Sequence, residues 1–242
     1  MRIEMLNVGW MTAAVGIWRQ GEAEPQRPVR LPVPAYLIET ESERVLVDTG
    51  LHPAAVADAE AHYGPGPIAF FGLEQEASIA EQVDLDTVTR VILTHLHFDH
   101  AGALELIPDS VPVVVQRAEW EGGHDRAAIE RSFFLPRDYA NVPPNLVLVE
   151  GDHDLLGDGS VELLSTPGHT PGHQSVRVGD LVIGADVALW ASSLDDHRFP
   201  SFGDDLEAQA RSAERLRKLR DAGLTVRPGH DPDVLRPGPV TA

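Results

Sequence analysis

Short apolar runs separated by glycine, proline and aspartate recur along the chain and predict a protein rich in β-strands. Two neighbouring runs, residues 36–39 and 44–47, are typical of the two arms of a hairpin. The other predicted strands cover residues 2–8, 91–93, 111–116, 146–150, 161–165, 174–178, 181–185 and 224–226.

In three places the spacing of apolar positions changes to three or four residues, which predicts helices there. Two of these stretches cover residues 78–83 and 118–134. The clearest helix spans residues 204–221, with acidic residues in its first turn and basic residues near its end. Its apolar positions are Leu206, Ala210, Ala213, Leu216 and Leu219.

Two stretches lack a regular pattern. Residues 9–34 are rich in proline and glycine but also hold apolar side chains, so we expect a long loop that covers a site or an interface. The last dozen residues contain three prolines and are expected to form a tail. Strand-rich runs alternate with helices twice, which predicts one α/β domain over residues 1–242, an αβ/βα sandwich of two mixed β-sheets flanked by helices.

Composition narrows the partners of this domain. The formal net charge of −19 repels phosphate backbones, so we expect no nucleic-acid partner. The chain has no cysteine and therefore forms neither disulfides nor metal sites with thiolate ligands. Nothing approaches the length of a membrane span and no leader pattern opens the chain, so we expect a cytoplasmic protein without a membrane partner.

The stretch THLHFDHAG, which directly follows the apolar run 91–93, predicts a metal site. It places His95, His97, Asp99 and His100 within six residues, and imidazole and carboxylate groups are ligands that zinc and similar ions accept. Alternate residues of extended backbone point the same way, so His95 and His97 can converge on one ion. Asp99 and His100 lie past the bend and can address a second ion.

Three more potential ligands follow predicted strands. His169 comes in a tight turn after residues 161–165, Asp186 follows residues 181–185, and His230 ends a similar turn after residues 224–226. Each alone is weak, since a strand-end histidine or aspartate is usually a turn residue. Their order after THLHFDH makes the chain resemble the metallo-β-lactamase superfamily, and within it the N-acyl homoserine lactonases. The phrases that carry this resemblance are LPVPAYLIE, LVDTGLHP, THLHFDHAG, VVVQRAEWE, TPGHTPGHQS and the final GHD.

The resemblance implies a dinuclear metal centre. By it, the first metal would be held by His95, His97 and His169 and the second by Asp99, His100 and His230, with Asp186 bridging the two. Asp48 would orient a ligand through hydrogen bonds. We expect two divalent ions, with zinc as the default and iron, cobalt or manganese as alternatives.

The implied reaction is hydrolysis of a small-molecule lactone or ester. Two metals can share a hydroxide that is nucleophilic at neutral pH, and the hypothesis is that it attacks the lactone carbonyl. Asp99 is the candidate that delivers a proton to the leaving ring oxygen. Related lactonases usually carry a tyrosine where this chain has Leu189, and Tyr63 and Tyr139 are candidate substitutes. The candidates for the substrate pocket are Met11, Trp18, Phe70, Phe71, Leu189 and Trp190.

Several alternatives stay open. The substrate could be another lactone, as in pyridoxolactonase-like enzymes, or an aryl ester or organophosphate. A glyoxalase II-like thioesterase would need a basic cluster, which in the C-terminal third of the chain only residues 211–220 offer. A non-catalytic domain with a vestigial site is disfavoured because all seven ligands are present. We expect His173 to have a structural role. Related lactonases often form dimers, so a homodimer is a candidate assembly. The remaining histidines, expected to be ordinary surface or loop residues, are His52, His62, His124, His153 and His197.

Overall fold

The apolar runs form the strands of two sheets in the computed structural model, which describes residues 1–141 and 143–241. The described strands are β1 (Arg2–Ala14), β2 (Pro28–Glu39), β3 (Arg44–Val47), β4 (Gly72–Glu74), β5 (Arg90–Ile92), β6 (Val113–Gln116), β7 (Leu146–Val149), β8 (His153–Asp154), β9 (Val161–Ser165), β10 (Gln174–Val178), β11 (Leu181–Ala185), β12 (Thr225–Pro228) and β13 (Gly238–Val240). The described α-helices are α1 (Val15–Trp18), α2 (Pro53–Ala57), α3 (Ala59–Tyr63), α4 (Ile79–Gln82), α5 (Arg117–Gly122), α6 (Arg126–Ser132), α7 (Ser193–Asp196) and α8 (Leu206–Asp221). Short 3₁₀ turns cover Pro67–Phe70, Leu85–Thr87, Leu104–Leu106 and Pro136–Tyr139.

Both sheets are mixed, as predicted. The first sheet has the order β13-β1-β2-β3-β5-β6-β7, with β4 paired to β1, and its strands β3, β5, β6 and β7 run parallel. The second sheet has the order β12-β11-β10-β9-β8, and only the β11–β12 pair is parallel among its described strands. The predicted hairpin is confirmed by the antiparallel pairing of β2 with β3.

Alternation along the strands divides the apolar side chains into layers. In β3, Val45 and Val47 point into the core between the two sheets, whereas Leu46 points to the opposite face of the first sheet. The outer face of the second sheet is covered by α8, whose Ala213 and Leu216 pack with Val182 and other apolar residues. The order of layers is therefore the predicted αβ/βα sandwich, which is confirmed.

The prediction of one long loop over residues 9–34 is wrong. A register shift between Asn7 and Trp10 lets β1 continue to Ala14, and β2 already begins at Pro28. Gly9 occupies this irregularity with φ of 152°, and a Cβ there would lie 2.5 Å from Cδ1 of Leu51. The bulge interrupts the two-residue alternation, which is why the strand pattern is hard to recognise beyond it.

Three smaller differences also have local causes. The expected C-terminal tail contributes β13, which pairs antiparallel with β1 near Ile3. The helical stretch 118–134 divides into α5 and α6, because Asp125 caps a new helix by accepting a hydrogen bond from the amide of Ala128. The helix predicted from residue 204 begins at Leu206, behind the N-cap Asp205. None of the described helices is both long and apolar enough to cross a bilayer.

The site residues gather because they follow the carboxyl ends of strands. Asp48 follows β3, His95 follows β5, His169 follows β9, Asp186 follows β11 and His230 follows β12. Side chains from both sheets therefore meet at one edge of the sandwich.

Candidate metal centre

Seven buried histidine and aspartate side chains meet at this edge in two adjoining groups. The first group is His95, His97, His169 and Asp186. The Nδ1 atom of His97 lies 3.0 Å from Nε2 of His95 and 3.0 Å from Nε2 of His169. The Oδ2 atom of Asp186 lies 3.2 Å from Nε2 of His169. Three imidazole nitrogens and one carboxylate oxygen thus face a common point.

The second group consists of Asp99, His100 and His230. The Nε2 atom of His230 lies 3.2 Å from Oδ2 of Asp99 and 3.3 Å from Nε2 of His100. The other carboxylate oxygen of Asp186, Oδ1, lies 3.2 Å from Nε2 of His230 and 3.4 Å from Nε2 of His100. The Asp186 carboxylate therefore stands between the groups, with one oxygen toward each.

Main-chain carbonyls fix the protonation of two of these imidazoles. The Nε2 atom of His97 lies 2.6 Å from the carbonyl oxygen of Ser132, and Nδ1 of His230 lies 2.8 Å from the carbonyl oxygen of Pro32. A carbonyl only accepts, so each of these nitrogens carries the proton and donates. The opposite nitrogen of each ring faces the group and is the one that can bind a metal ion.

Asp48, which the resemblance implies orients a ligand, contacts a side chain of the second group. Its Oδ2 accepts hydrogen bonds from Nδ1 of His100 at 2.8 Å and from the hydroxyl of Thr94 at 2.8 Å. The Thr94 hydroxyl, having given its proton to Asp48, can only accept from Nδ1 of His95 at 3.1 Å. His95 and His100 thus also turn their Nε2 atoms inward.

This donor set fits metal cations. Imidazole lone pairs and carboxylate oxygens all accept, so packing them together without a metal ion or a bound proton would leave buried acceptors facing one another. The buried side-chain atoms without a hydrogen-bond partner in the described part of the chain include Nδ1 of His169 and Oδ1 of Asp186. Nitrogen and carboxylate ligands without sulfur suit zinc and neighbouring divalent ions.

The two groups differ in electrostatics. Burial lowers the pKa of His97 to about 3 and holds that of His95 well below its usual range, so both are neutral and ready to ligate. Burial also opposes charge on His230, but the Asp186 and Asp99 carboxylates outweigh it and raise the pKa of His230 to about 10. A cation entering the second group would replace protons held there.

His173 supports the carboxylate between the groups, in line with the structural role expected for it. Its Nε2 accepts a hydrogen bond from the backbone amide of Asp186 at 3.1 Å. Its Nδ1 must then carry the proton, and it faces the hydroxyl of Thr166 at 3.0 Å. The ring is fully buried, and because each of its two nitrogens faces one of these partners, neither is free to bind a metal.

An aromatic cluster stands beside the first group. Trp18 and Phe71, both predicted to line the pocket, pack with ring centroids 5.0 Å apart. Phe202, which is not among the predicted pocket residues, lies 6.0 Å from the ring of Trp18, 6.0 Å from that of His97 and 5.9 Å from that of His169. Its only sequence signal is an aromatic residue in a polar loop, which is too weak to single it out.

The other pocket candidates lie in different environments. Phe70 exposes 77% of its surface, whereas Met11 and Leu189 are buried within the apolar core beside the first sheet. Trp190 is partly buried, with the guanidinium of Arg19 5.8 Å above its ring. Leu189 instead contacts a predicted ligand through its main chain, because its carbonyl accepts a hydrogen bond from the amide of His230 at 3.0 Å.

The two proposed tyrosine substitutes do not offer a free hydroxyl. Tyr139 is buried and donates to the carbonyl of Gly123 at 3.0 Å. Tyr63 donates to Oδ2 of Asp138 at 3.2 Å. Both candidates were inferred from residue type alone, which says nothing about where a hydroxyl is already engaged.

Two of the histidines expected to be ordinary surface or loop residues are shielded from solvent, since His52 is buried and the side chain of His62 is only 4% exposed. His52 and His62 stack with ring centroids 4.4 Å apart, and Nε2 of His62 lies 3.9 Å from Oδ1 of Asp138. The short helices α2 and α3 form adjacent to each other, which brings the two rings together. The remaining three, His124, His153 and His197, are exposed as expected.

Asp138 in this cluster gives a pH-dependent prediction for stability. Burial raises its pKa to about 8, against about 3.9 in an unfolded chain, so the folded state holds a proton that the unfolded state releases. Its stabilising contribution is fully present below about pH 4 and is lost as the pH rises through 8. We expect Asp138→Asn to be more stable than wild type at pH 8.5, by on the order of 3 kcal/mol, with the difference shrinking toward pH 4. Urea unfolding across this range measures it, and a pH-independent difference would contradict the assignment.

Comparison with known proteins agrees with this geometry. The family model described as the metallo-beta-lactamase superfamily matches residues 28–230. An N-acyl homoserine lactonase from Bacillus thuringiensis is 32% identical over 207 residues, covering 81% of this chain and 79% of that protein. Another, from Rhizobium radiobacter, is 27% identical over 250 residues, covering 97% and 94%.

Solved structures are similar over nearly the whole chain. An N-acyl homoserine lactone hydrolase with the product N-hexanoyl-L-homoserine bound at its catalytic metal centre superimposes with a TM-score of 0.83. It is 26% identical in sequence, and the match covers 96% of this chain and 94% of that one. The family match spans most of the chain and includes every side chain of the two groups. This protein belongs to the metallo-β-lactamase superfamily.

Proposed function

We propose that this protein is a dinuclear-metal hydrolase that opens the ring of N-acyl homoserine lactones. The observation that carries the proposal is the Asp186 carboxylate, which turns one oxygen to each of two adjoining groups of imidazole and carboxylate ligands. Relatives named as N-acyl homoserine lactonases support the choice of substrate. Both sheets contribute to one core, which supports a single hydrolase domain over residues 1–242.

The first ion would be held by His95, His97 and His169 and the second by Asp99, His100 and His230, with Asp186 shared. We propose zinc for both positions. Two divalent ions bound there would polarise a carbonyl oxygen and make water nucleophilic near neutral pH. The protein contributes rings held in place by Asp48, Ser132 and Pro32, so His97, His100 and His230 need not reorient before an ion binds.

Asp99 is proposed to move the proton of the reaction. Ring opening joins a water oxygen to the carbonyl carbon, breaks the bond from that carbon to the ring oxygen, and transfers one proton from the water to the departing oxygen. The Asp99 carboxylate is buried, and the nearby imidazoles of His100 and His230 outweigh the effect of burial and lower its pKa, so it begins ionised and can accept that proton before passing it on.

Asp99→Asn tests this role. The amide has the same shape but cannot carry the proton, so we expect kcat to fall by about 100-fold or more. Steady-state kinetics measure the loss, and elemental analysis of the same sample reports its metal content. A variant that keeps both ions and full turnover would remove Asp99 from the proton transfer.

Leu189 bears on specificity. Its side chain cannot donate a hydrogen bond to the lactone carbonyl, and the hydroxyls of Tyr63 and Tyr139 are engaged elsewhere. The carbonyl must then depend on the metal centre for stabilisation, which predicts weaker discrimination between lactones and other carbonyl or phosphoryl substrates. Aryl esters and phosphotriesters therefore belong in the same assay.

A thioesterase for an anionic substrate is less well supported. Three of the four arginines of α8 that could have formed the required basic cluster are paired with acidic side chains, Arg217 with Glu214 among them. Arg215 contacts Asp152, and Arg220 contacts Asp195. These cations are already neutralised at the surface.

The decisive experiment is proton release on N-acyl homoserine lactones of several chain lengths, before and after metal removal and zinc return. We expect acid release that disappears with chelation and returns with zinc. If metal-loaded protein releases no acid from any lactone but hydrolyses aryl esters or phosphotriesters, the lactonase proposal fails and the alternative hydrolase stands.

A further inference from the structure

Beyond its ligands, the metal centre depends on a buried glutamate in α5. We propose that Glu119 is a positioning residue that clamps together the two turns carrying the ligands of the first group and so sets the affinity of that group for its ion. The inference rests on the proposed metal centre, but it concerns a residue outside the seven ligands.

The contacts of Glu119 join two distant parts of the chain. Its Oε1 accepts a hydrogen bond from the backbone amide of Leu96 at 2.8 Å, and its Oε2 accepts one from the backbone amide of Gly172 at 2.8 Å. Leu96 lies between His95 and His97, whereas Gly172 lies in the turn that carries His169. One carboxylate therefore fixes the distance between both sources of the first group's imidazoles.

The packing around α5 is built for this contact. A Cβ on Gly172 would lie 2.1 Å from the backbone nitrogen of Glu119, so only glycine lets the turn approach the helix so closely. On the same helix, a Cβ on Gly122 would lie 2.9 Å from Cγ of Pro171. Two glycines on facing segments thus permit backbone contact between α5 and the ligand-bearing turn.

Burying the carboxylate of Glu119 costs free energy, which argues that this residue has a specific role. Glu119 is fully buried, and burial raises its pKa to about 7. Both of its partners are amide donors, and an ionised carboxylate is the side chain that can accept on both oxygens at once. An apolar residue would fill the space but leave two buried amides without partners.

Glu119→Gln keeps the size of the side chain and turns its NH₂ group toward one of the two amides. We expect affinity for the first ion to fall by about 10- to 100-fold while affinity for the second changes little. Competition with a chelator gives the two binding constants, and side-chain ¹⁵N signals of His97 and His230 report which group empties first. No lactone is present, so failure of the lactonase proposal leaves this test intact.

Gln116→Ala is the matched control. Gln116 is also buried and precedes α5, but it contacts Gly151 and Gln174 instead of a ligand turn. If Glu119 had a purely structural role, each variant would lose as much stability in the presence of zinc as in its absence. A positioning role reduces the extra stability that zinc confers on Glu119→Gln alone, which denaturant unfolding measures.

Two outcomes would overturn the proposal. One is wild-type affinity for both ions in Glu119→Gln, and the other is an equal loss of affinity in Gln116→Ala. Should Glu119→Gln not fold, Glu119→Asp keeps the charge on a side chain one methylene shorter. Wild-type affinity in a folded Glu119→Asp variant would overturn the proposal equally, because the shorter carboxylate cannot hold both turns at their present distance.

Discussion

Replacing Asp186 with asparagine is expected to abolish hydrolysis and remove at least one metal ion from the protein. Its two carboxylate oxygens face different ligand groups, so it serves both ions at once. In asparagine one oxygen becomes an NH₂ group, which cannot bind a cation and would point a donor at it. A bound metal supplies several kcal/mol of transition-state stabilisation, so we expect kcat/KM to fall by at least about 1,000-fold.

Kinetics and metal content measured on the same preparation test this expectation. Asp138→Asn is the matched control, since it makes the same chemical change at another buried aspartate that lies outside both ligand groups. The control should retain two ions and wild-type turnover. If Asp186→Asn also retained both ions and its activity, the carboxylate would not be shared and the proposed centre would be wrong.

The largest loss of stability is expected from Gly168→Ala. Gly168 has φ of +132°, and a Cβ there would lie 2.0 Å from the backbone nitrogen and 2.4 Å from Cα of Gln209 in the first turn of α8. The obstructing atoms are backbone, so relief requires the helix or the turn before His169 to move. Strain and overpacking together predict a loss of about 3 kcal/mol or more in the free energy of unfolding.

Gly223→Ala separates the two causes of this loss. Gly223 also has positive φ, +106°, but no atom lies within 4 Å of the Cβ that alanine would add. It therefore introduces backbone strain without a clash, and we expect a cost of about 1 kcal/mol. Denaturant unfolding of the two variants measures the difference. Equal losses would show that α8 yields to the new methyl group and that the contact is not rigid.

The ligand residues could be predicted because their chemistry is visible in short stretches of sequence. His95, His97, Asp99 and His100 stand in one motif, and each of the other ligands follows a recognisable strand. The layers could be predicted for a similar reason. Alternation such as that of Val45, Leu46 and Val47 assigns each side chain to a face before the partner strand is known.

Apart from the role of Asp48, the contacts that hold these ligands could not be predicted. Ser132 and Pro32 act through their carbonyl oxygens, which every residue type possesses. Glu119 stands in a polar helical stretch where a glutamate normally faces water, and its burial depends on a turn more than fifty residues away. The continuation of β1 past Gly9 was hidden for another reason, since the bulge breaks the period on which recognition of a strand depends.

The ligands of the metal centre come from the ends of strands in both sheets, and this arrangement also constrains the order in which the molecule can assemble. His95 to His100 follow the first sheet, whereas His169, Asp186 and His230 follow the second. Neither sheet alone holds a complete group, so tight metal binding must wait until the two have docked. Once bound, each ion links ligands from both sheets, and the sheets can separate only after the ions are released. Metal should therefore slow unfolding much more than it speeds folding.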